Sequence, residues 1–371
     1  MLVNSAYVWL GMDNNTSKPI RFFSDKPVFG LDIGRSSMKV MQLEHTDAVP
    51  EIIGYGTVDF DMSALEDGVI VKPEVLADAM HDLFKNRLHG EITTRRAAMA
   101  LPAYRTFTRS LQLPQLAPEE LHEAVQLEVE QYVPMALESL YLDYITTPAS
   151  DNTQNVFVVA VPKKIVDSYL YFARRLGIEP ILIEPTVTAG ARFFARDKHS
   201  DIPSVIIDFG SLTATITIID KTIVATSTAP GGGLVFTEEI SKELGVSKEE
   251  AGAIKTNYGL GVSEYQERIL RALGPSLEGI VAEIKRALRY YEEHAGSKRS
   301  VGQIVTLGGG ANMPGLSDYL TNALKMPVRT HEHPWSVFKY STDIDIPDGA
   351  DRLMYATVAG LSLLKTKEVF A

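Results

Sequence analysis

Two short segments place a carboxylate two residues before a glycine at the end of an apolar run. They are Leu31-Asp32-Ile33-Gly34 and Ile207-Asp208-Phe209-Gly210. An Asp at a strand end can hold a hydrated Mg²⁺ through water, because Mg²⁺ prefers oxygen ligands and keeps several of its own waters. The following glycine removes the Cβ that would keep a phosphate away from backbone N–H groups, and it permits a tight turn. Ser36, Ser37 and Thr213 add hydroxyls just beyond the two turns. Two such turns facing each other would grip phosphates from both sides, with Asp32 and Asp208 as the Mg²⁺-side carboxylates. A third segment, Gly308-Gly309-Gly310, follows an apolar strand and precedes a helix. Unpaired N–H groups and the helix dipole favour an anion there. Gly231-Gly232-Gly233 reads equally well as a plain helix-start loop or as a backbone approaching the same ligand.

The elements that position these segments are legible from periodicity. Val28 to Gly34, Ser36 to Leu43 and Glu51 to Phe60 read as three strands, the first two joined as a hairpin. Pro73 opens a helix to about Arg87; proline at the first helical position sacrifices no hydrogen bond. Ser204 to Gly210 and Leu212 to Ile219 repeat the hairpin, and the second of these alternates with period two as a half-buried strand does. Asp32 and Asp208 are 176 residues apart, so the repeat is a duplicated domain rather than a solenoid of short units. The expected fold class is α/β: a duplicated, two-lobed architecture, with a further α/β unit of its own within the first lobe.

That unit spans residues 92–178. Arg96 to Leu101, Thr106 to Leu113, Leu140 to Thr146 and Val156 to Val161 read as its strands. Pro118 to Val133 is a helix striped by Leu121, Val125, Val129 and Val133, and Pro134 ends it. Ile165 to Leu176 is a second helix, closed by Gly177. Residues 28–91 and 179–202 form the first lobe, closed by a C-terminal helix over 351–365. Residues 203–350 form the second, with 234–299 as its helical part. Residues 1–27 read as a flexible arm containing the polar stretch Asp13 to Ser17 and no signal-peptide pattern.

Composition narrows the function classes. Lys plus Arg is 36 against 47 Asp plus Glu, a formal charge of −11, so the chain is a poor general nucleic-acid binder and no nucleic-acid partner is expected, a local basic patch staying open. The chain has no cysteine, which removes disulfides, cysteine metal sites and thiol nucleophiles. No apolar run approaches the ~20 residues a membrane-spanning helix needs, so membrane contact is expected only through a partner. G-x-x-x-x-G-K-[ST] and a post-strand G-x-G-x-x-G are absent. His331-Glu332-His333 is flanked by proline and reads as a solvated loop rather than a metal pair.

With these residues in place, the chain resembles the actin-like ATPase superfamily, and within it the FtsA/PilM branch, most closely the PilM family of type IV pilus assembly. The resemblance runs from about Pro27 to Leu364. It is carried by Gly30-Leu-Asp-Ile-Gly-Arg-Ser-Ser-Met-Lys39, Glu119 to Pro134, Asp143-Tyr144, Val166-Asp-Ser-Tyr169 and Leu307-Gly-Gly-Gly-Ala-Asn-Met-Pro-Gly315. It implies a duplicated actin-like (ribonuclease H-like) fold, two lobes around a nucleotide cleft with residues 92–178 as a subdomain inserted in the first, and ATP and Mg²⁺ as cofactors. Asp32, Gly34, Ser36, Ser37 and Lys39 would serve phosphate and Mg²⁺, Asp208, Gly210 and Thr213 the opposite phosphate wall, and Gly308 to Gly310 the adenosine side. Gly232, Gly233 and Lys255 join the cofactor-binding set. The implied partner is the short N-terminal cytoplasmic segment of PilN, an inner-membrane protein, which would place this chain in the cytoplasm at the inner face of that membrane. Room remains for other pilus assembly proteins and for self-association.

Three positions depart from the pattern. Relatives carry Glu-x-x-Lys on the helix that touches the ribose, whereas here Lys255 is preceded by Gly252; Leu212 stands where a small hydroxyl residue is usual, and Arg35 where serine is common. Hydrolysis would also need a group that orients the attacking water. Glu184 is the candidate for that catalytic role, with a plain strand end as the competing reading, so nucleotide binding is better supported than turnover. Two other functions were weighed. An FtsA-like division scaffold would carry a basic amphipathic membrane helix where this chain stops, at Lys367 to Ala371. A sugar-kinase-type enzyme would need a catalytic Asp, and Asp143 and Asp167 are the available acids.

Overall fold

The computed structural model describes residues 26–45, 49–148, 152–294, 299–349 and 351–365. All but two residues of the arm expected over 1–27 lie outside that set. The chain divides into two compact units, residues up to 189 with those from 358 onward, and residues 190–357.

Unit one is built on a sheet of β1 (Phe29–Ile33), β2 (Ser37–Glu44), β3 (Glu51–Asp59), β4 (Leu88–Gly90), β5 (Arg96–Leu101) and β9 (Glu179–Pro185). The labels β6 to β8 belong to the insert described below. β3, β2 and β1 form an antiparallel meander, and β5 and then β9 continue from β1 in parallel. β4 pairs with β3. Both central strands are buried along nearly their whole length, as strands covered on two faces must be. Helix α1 (Pro73–Asn86) carries Pro73 at its first position and buries Leu76, Met80 and Leu83 against this sheet. The Gly30 N–H donates to Ser362 Oγ at 3.2 Å, and that hydroxyl lies 2.7 Å from the Met41 carbonyl. This pair fixes the C-terminal helix over the first hairpin.

The insert is smaller than the expected 92–178. Its sheet is β6 (Phe107–Pro114), β7 (Leu140–Pro148) and β8 (Thr153–Pro162), in the order β6-β8-β7, all antiparallel. Helix α2 (Pro118–Tyr132) covers it with Leu121, Val125 and Val129. The Glu120 side chain accepts from the Ala117 N–H at 3.2 Å and so closes the helix start. By contrast, β5 is a central strand of the main sheet. Helix α3 (Lys163–Arg175) buries Ile165, Val166, Tyr169, Phe172 and Ala173 in the same core as Leu31, Ile33 and Met99. Apolar periodicity marked these as elements but could not say which core each fills. Among the described residues the insert core contains eight buried apolar residues, so it has little reserve. Leu140→Ala is expected to cost about 2–5 kcal/mol. Hydrogen exchange should then accelerate over residues 107–160 while β1, β2 and β5 keep their protection.

Unit two repeats the plan of unit one. Its strands are β10 (Ser204–Phe209), β11 (Thr213–Asp220), β12 (Thr222–Pro230), β13 (Gln303–Leu307) and β14 (Val328–Thr330). β12, β11 and β10 form an antiparallel meander, continued in parallel by β13 and β14. The order and sense match β3-β2-β1-β5-β9, so the duplication inferred from the two Asp-x-Gly segments extends to whole sheets. The two copies differ in what they insert: unit one places the small sheet after its first parallel strand, whereas unit two places helices after its meander. After α4 (Thr186–Phe194), which follows β9, those helices are α5 (Gly233–Leu244), α6 (Lys248–Asn257) and α7 (Gln266–His294). Ile269, Leu273, Leu277, Ile280 and Ile284 of α7 join Phe209, Ile216, Phe236 and Ile240 in one core. β11 departs from the half-buried expectation. Thr215 and Thr217 are buried along with Ala214, Ile216 and Ile218, so both faces of the strand are covered. Alternation in sequence reports side-chain type, whereas burial depends on what packs over the polar face.

Candidate functional site

In unit one the first turn closes with the Gly34 N–H donating to the Ser37 carbonyl at 2.9 Å. Antiparallel register sets Asp32 directly opposite Lys39, so both side chains share a face. Lys39 is buried, and its Nζ donates to Ser37 Oγ at 2.8 Å. Burial pushes the Asp32 carboxyl above the ordinary range, and the Lys39 charge opposes that only in part. Ser36 presents its carbonyl to the Phe60 N–H at 3.0 Å.

Glu184 belongs to the same row. Parallel pairing puts Asp32 beside Ala100 and Ala100 beside Glu184, so both acids emerge on one face of the sheet, two strands or roughly 9–10 Å apart. Glu184 is almost wholly buried, which removes the reading of a surface strand end. It accepts from Thr188 Oγ1 at 2.7 Å. Thr188 carries no sequence signal of its own; it is found only because it lies one helical turn beyond Glu184.

In unit two the second turn closes in the same way, the Gly210 N–H donating to the Thr213 carbonyl at 3.0 Å. Asp208 lies opposite Thr215 and beside Leu307, so Gly308 follows immediately alongside it. Gly308 has φ +80°, and a Cβ there would lie 2.3 Å from Asp208 Oδ1 and 2.6 Å from the Phe209 carbonyl oxygen. A Cβ at Gly310 would come within 2.9 Å of Phe209 Cβ, whereas one at Gly309 would meet only Met354 at 3.5 Å. A Cβ at Gly232 would be equally tight, 2.5 Å from the Gly210 carbonyl oxygen. The Gly233 N–H donates to the Gly210 carbonyl at 2.9 Å, and the Leu234 N–H to the Ser211 carbonyl at 2.8 Å. The Gly231–Gly233 segment thus starts the helix Gly233–Leu244 and at the same time packs against the second turn.

Lys255 completes this half-site. From α6 its Nζ donates to the Gly233 carbonyl and to Thr237 Oγ1, each at 2.8 Å. Burial pushes its ammonium below the usual lysine range. Gly252, one turn earlier, leaves open space: a Cβ there would meet nothing nearer than Thr237 Cγ2 at 3.9 Å. The structure therefore gathers Asp208, Gly210, Gly232, Gly233, Lys255, Gly308 and Gly310 around one turn of unit two, with Thr213 at its exit. It gathers Asp32, Gly34, Ser37 and Lys39, with Ser36 in the turn itself, around one turn of unit one.

The His331-Glu332-His333 segment is not the solvated loop expected. His331 is buried, its ring 4.8 Å from that of Phe193 and its Nε2 3.4 Å from Asp197 Oδ2. Burial holds it below the ordinary histidine range. No cluster of three or more His, Cys, Asp or Glu suited to a metal occurs among the described residues. The donor chemistry fits Mg²⁺ held through water by single carboxylates, and the glycine cradle around Asp208, which any side chain would fill, fits a phosphate approaching backbone.

Duplicated five-strand sheets, each carrying an Asp-x-Gly turn, with a glycine cradle beside the second, define an actin-like ATPase fold. MreB5 of Spiroplasma citri bound to AMPPNP superimposes with a TM-score of 0.51 at 14% identity, over 91% of this chain and 95% of that one. The cell division protein FtsA of Enterococcus faecalis is 24% identical over 345 residues, 81% of this chain and 78% of FtsA. The family model of type IV pilus assembly protein PilM matches residues 30–366, and the chain belongs to that family. A solved PilM–PilN type IV pilus biogenesis complex matches with a TM-score of 0.78 at 23% identity, over 91% of this chain and 97% of that chain. No helix among the described residues is long and apolar enough to cross a membrane.

Proposed function

We propose that this PilM-family chain binds ATP with Mg²⁺ through its two Asp-x-Gly half-sites and docks the N-terminal cytoplasmic segment of a PilN-like inner-membrane protein, coupling nucleotide state to assembly of the pilus machinery. The observation that carries the nucleotide reading is the convergence of Gly232, Gly308 and Gly310 on the Asp208 turn, where three glycines leave backbone bare beside a carboxylate. Asp32 and Asp208 would hold Mg²⁺ through water. Backbone N–H groups of the two turns, with Ser37 and Thr213, would hold phosphate oxygens, and Mg²⁺ when bound would neutralise phosphate charge. Lys255 and the Gly308–Gly310 strip would border the adenosine. Glu184, level with Asp32, would orient a water if the chain turns ATP over. The PilN reading rests on family membership and on the likeness to the PilM–PilN complex. The protein would then work at the inner face of the cytoplasmic membrane, held there by its partner.

Titration calorimetry with ATP and Mg²⁺, with and without a peptide copying the PilN N-terminus, tests both parts. Saturable binding of each, and a peptide affinity that changes when ATP is present, is the expected result. Absence of ATP binding would remove the nucleotide reading, and equal peptide affinities in both states would remove the coupling. A further expectation concerns Gly252. The open space beside it admits a carboxylate one turn before Lys255, and a charge-assisted hydrogen bond to the ribose is worth about 1.5 kcal/mol net. Gly252→Glu should therefore tighten ATP binding about tenfold in the same titration.

A further inference from the structure

Arg35 stands inside the first Asp-x-Gly turn, yet its guanidinium is engaged elsewhere. Nη1 donates to the Met62 carbonyl and to the Leu65 carbonyl, the latter at 2.9 Å. Leu65 begins a very small hairpin, Leu65–Glu66 paired with Val69–Ile70. Its two tip residues, Asp67 and Gly68, have φ +51° and +84°, the pattern of the tight hairpin turn that suits twisted strands. Two residues per strand cannot hold themselves together in water, so this hairpin is placed by what it touches.

It touches both places where the insert joins the rest of unit one. Ahead of the insert, Asp67 at the tip pairs with Arg105. A Cβ at Gly68 would lie 3.1 Å from Arg105 Cγ and 3.2 Å from Pro102 Cγ, so the tip is seated on the Pro102–Arg105 segment that leads into β6. Behind the insert, the Ile70 N–H donates to Ser168 Oγ at 3.1 Å, on the helix that follows β8 directly. Ser168 Oγ in turn donates to the Ile165 carbonyl at 2.6 Å. The Arg105 guanidinium also lies over the Tyr104 ring, 5.6 Å from its centre. One element therefore holds the entering and the leaving connection of the insert, and its other end is held by the phosphate turn.

We propose that the Leu65–Ile70 hairpin, clipped to the first Asp-x-Gly turn by Arg35, couples phosphate occupancy of that turn to the insert over residues 107–162. Arg35 is a positioning residue in this scheme and not a phosphate ligand. A phosphate that draws in the Gly34–Ser37 backbone shifts the Cα that carries Arg35. The guanidinium passes that shift to the Met62 and Leu65 carbonyls, and the hairpin passes it to Arg105 and Ser168. The inference rests on the reading that this chain binds Mg-ATP. It assigns that site a regulated output, the insert, through contacts wholly inside unit one.

Hydrogen exchange of the full chain with and without saturating Mg-ATP, paired with calorimetry, tests it. In the unaltered protein Mg-ATP should slow exchange across residues 107–160 at least about fivefold, the lower end of ordinary coupling between sites. In Arg35→Ala that slowing should vanish while the affinity for Mg-ATP changes less than about threefold. Asp67→Asn, at an exposed tip where misfolding is not at issue, should lose the slowing in the same way. The double variant should lose no more than either single one, as expected of two links in one chain. Slowing that survives in Arg35→Ala or in Asp67→Asn overturns the coupling, as does an unaltered protein that binds Mg-ATP with no change in the insert. An unaltered protein that binds no Mg-ATP overturns the nucleotide reading itself, and calorimetry separates that result from the others.

Discussion

Gly308→Ala is expected to abolish measurable ATP binding and to lower the stability of unit two. The residue has φ +80°, where an alanine is strained by about 1–3 kcal/mol before any contact is counted. Its Cβ would then sit 2.3 Å from Asp208 Oδ1 and 2.6 Å from the Phe209 carbonyl. Neither atom is the free end of a flexible chain: one is the carboxylate assigned to Mg²⁺, and the other is backbone of the strand that carries it. Relief must come from moving Asp208 or from opening the β10–β13 register, and either displaces the second half-site. At about 2–4 °C per kcal/mol for a unit of this size, the thermal midpoint should fall by roughly 2–12 °C. Gly309→Ala is the internal control. Its Cβ would make ordinary contact with Met354 at 3.5 Å, so stability should stay near that of the unaltered chain and any loss of ATP affinity should be smaller than in Gly308→Ala. Equal behaviour of the two variants would show that the close approach at Gly308 has no functional weight.

Asp32→Asn and Asp208→Asn should each weaken Mg-ATP binding about 10- to 100-fold, the range found when groups that orient a metal's ligands are removed. Asparagine keeps the shape and removes only the charge, so packing is undisturbed. The losses should nearly disappear when titrations are repeated with ATP and a chelator, because a carboxylate that acts through Mg²⁺ has little to offer a bare triphosphate. Asp32→Asn carries an additional effect. Lys39, buried directly across the strand pair, would lose its opposing charge and keep only the Ser37 hydroxyl at 2.8 Å. Metal-free ATP should then bind slightly better to Asp32→Asn than to the unaltered protein. Variants that bind Mg-ATP with unchanged affinity would remove both carboxylates from the metal site.

These two experiments divide along the line between what was readable in the chain and what was not. The carboxylates, the turn glycines and the duplication follow from local pattern: Asp32 and Asp208 end apolar runs, and a hairpin with a tight turn is a short-range structure. The helices started by Pro73 and Pro118 end within a residue of expectation, whereas β8 begins three residues before Val156 and the closing helix expected over 351–365 is a 3-10 turn at Arg352–Tyr355 followed by a helix only over Ala356–Ser362. The family resemblance was legible for the same reason, since its motifs are contiguous.

What only the tertiary structure decided is set by long-range packing. Residues 96–101 and 163–175 read correctly as strand and helix, yet they belong to the main sheet and core and not to the insert. Hydrophobic spacing gives a buried face without naming its partner. His331 looked like part of an exposed loop because polar residues flanked by proline usually are, but Phe193 and Asp197 enclose it from elsewhere in the chain. Glu184 reads either as a water-orienting carboxylate or as a plain strand end until burial and parallel register set it level with Asp32. Arg35 reads as an oddity in a phosphate turn until Met62 and Leu65 are seen to hold it. In each case the deciding atoms come from residues distant in sequence, or from backbone carbonyls that carry no sequence signature at all.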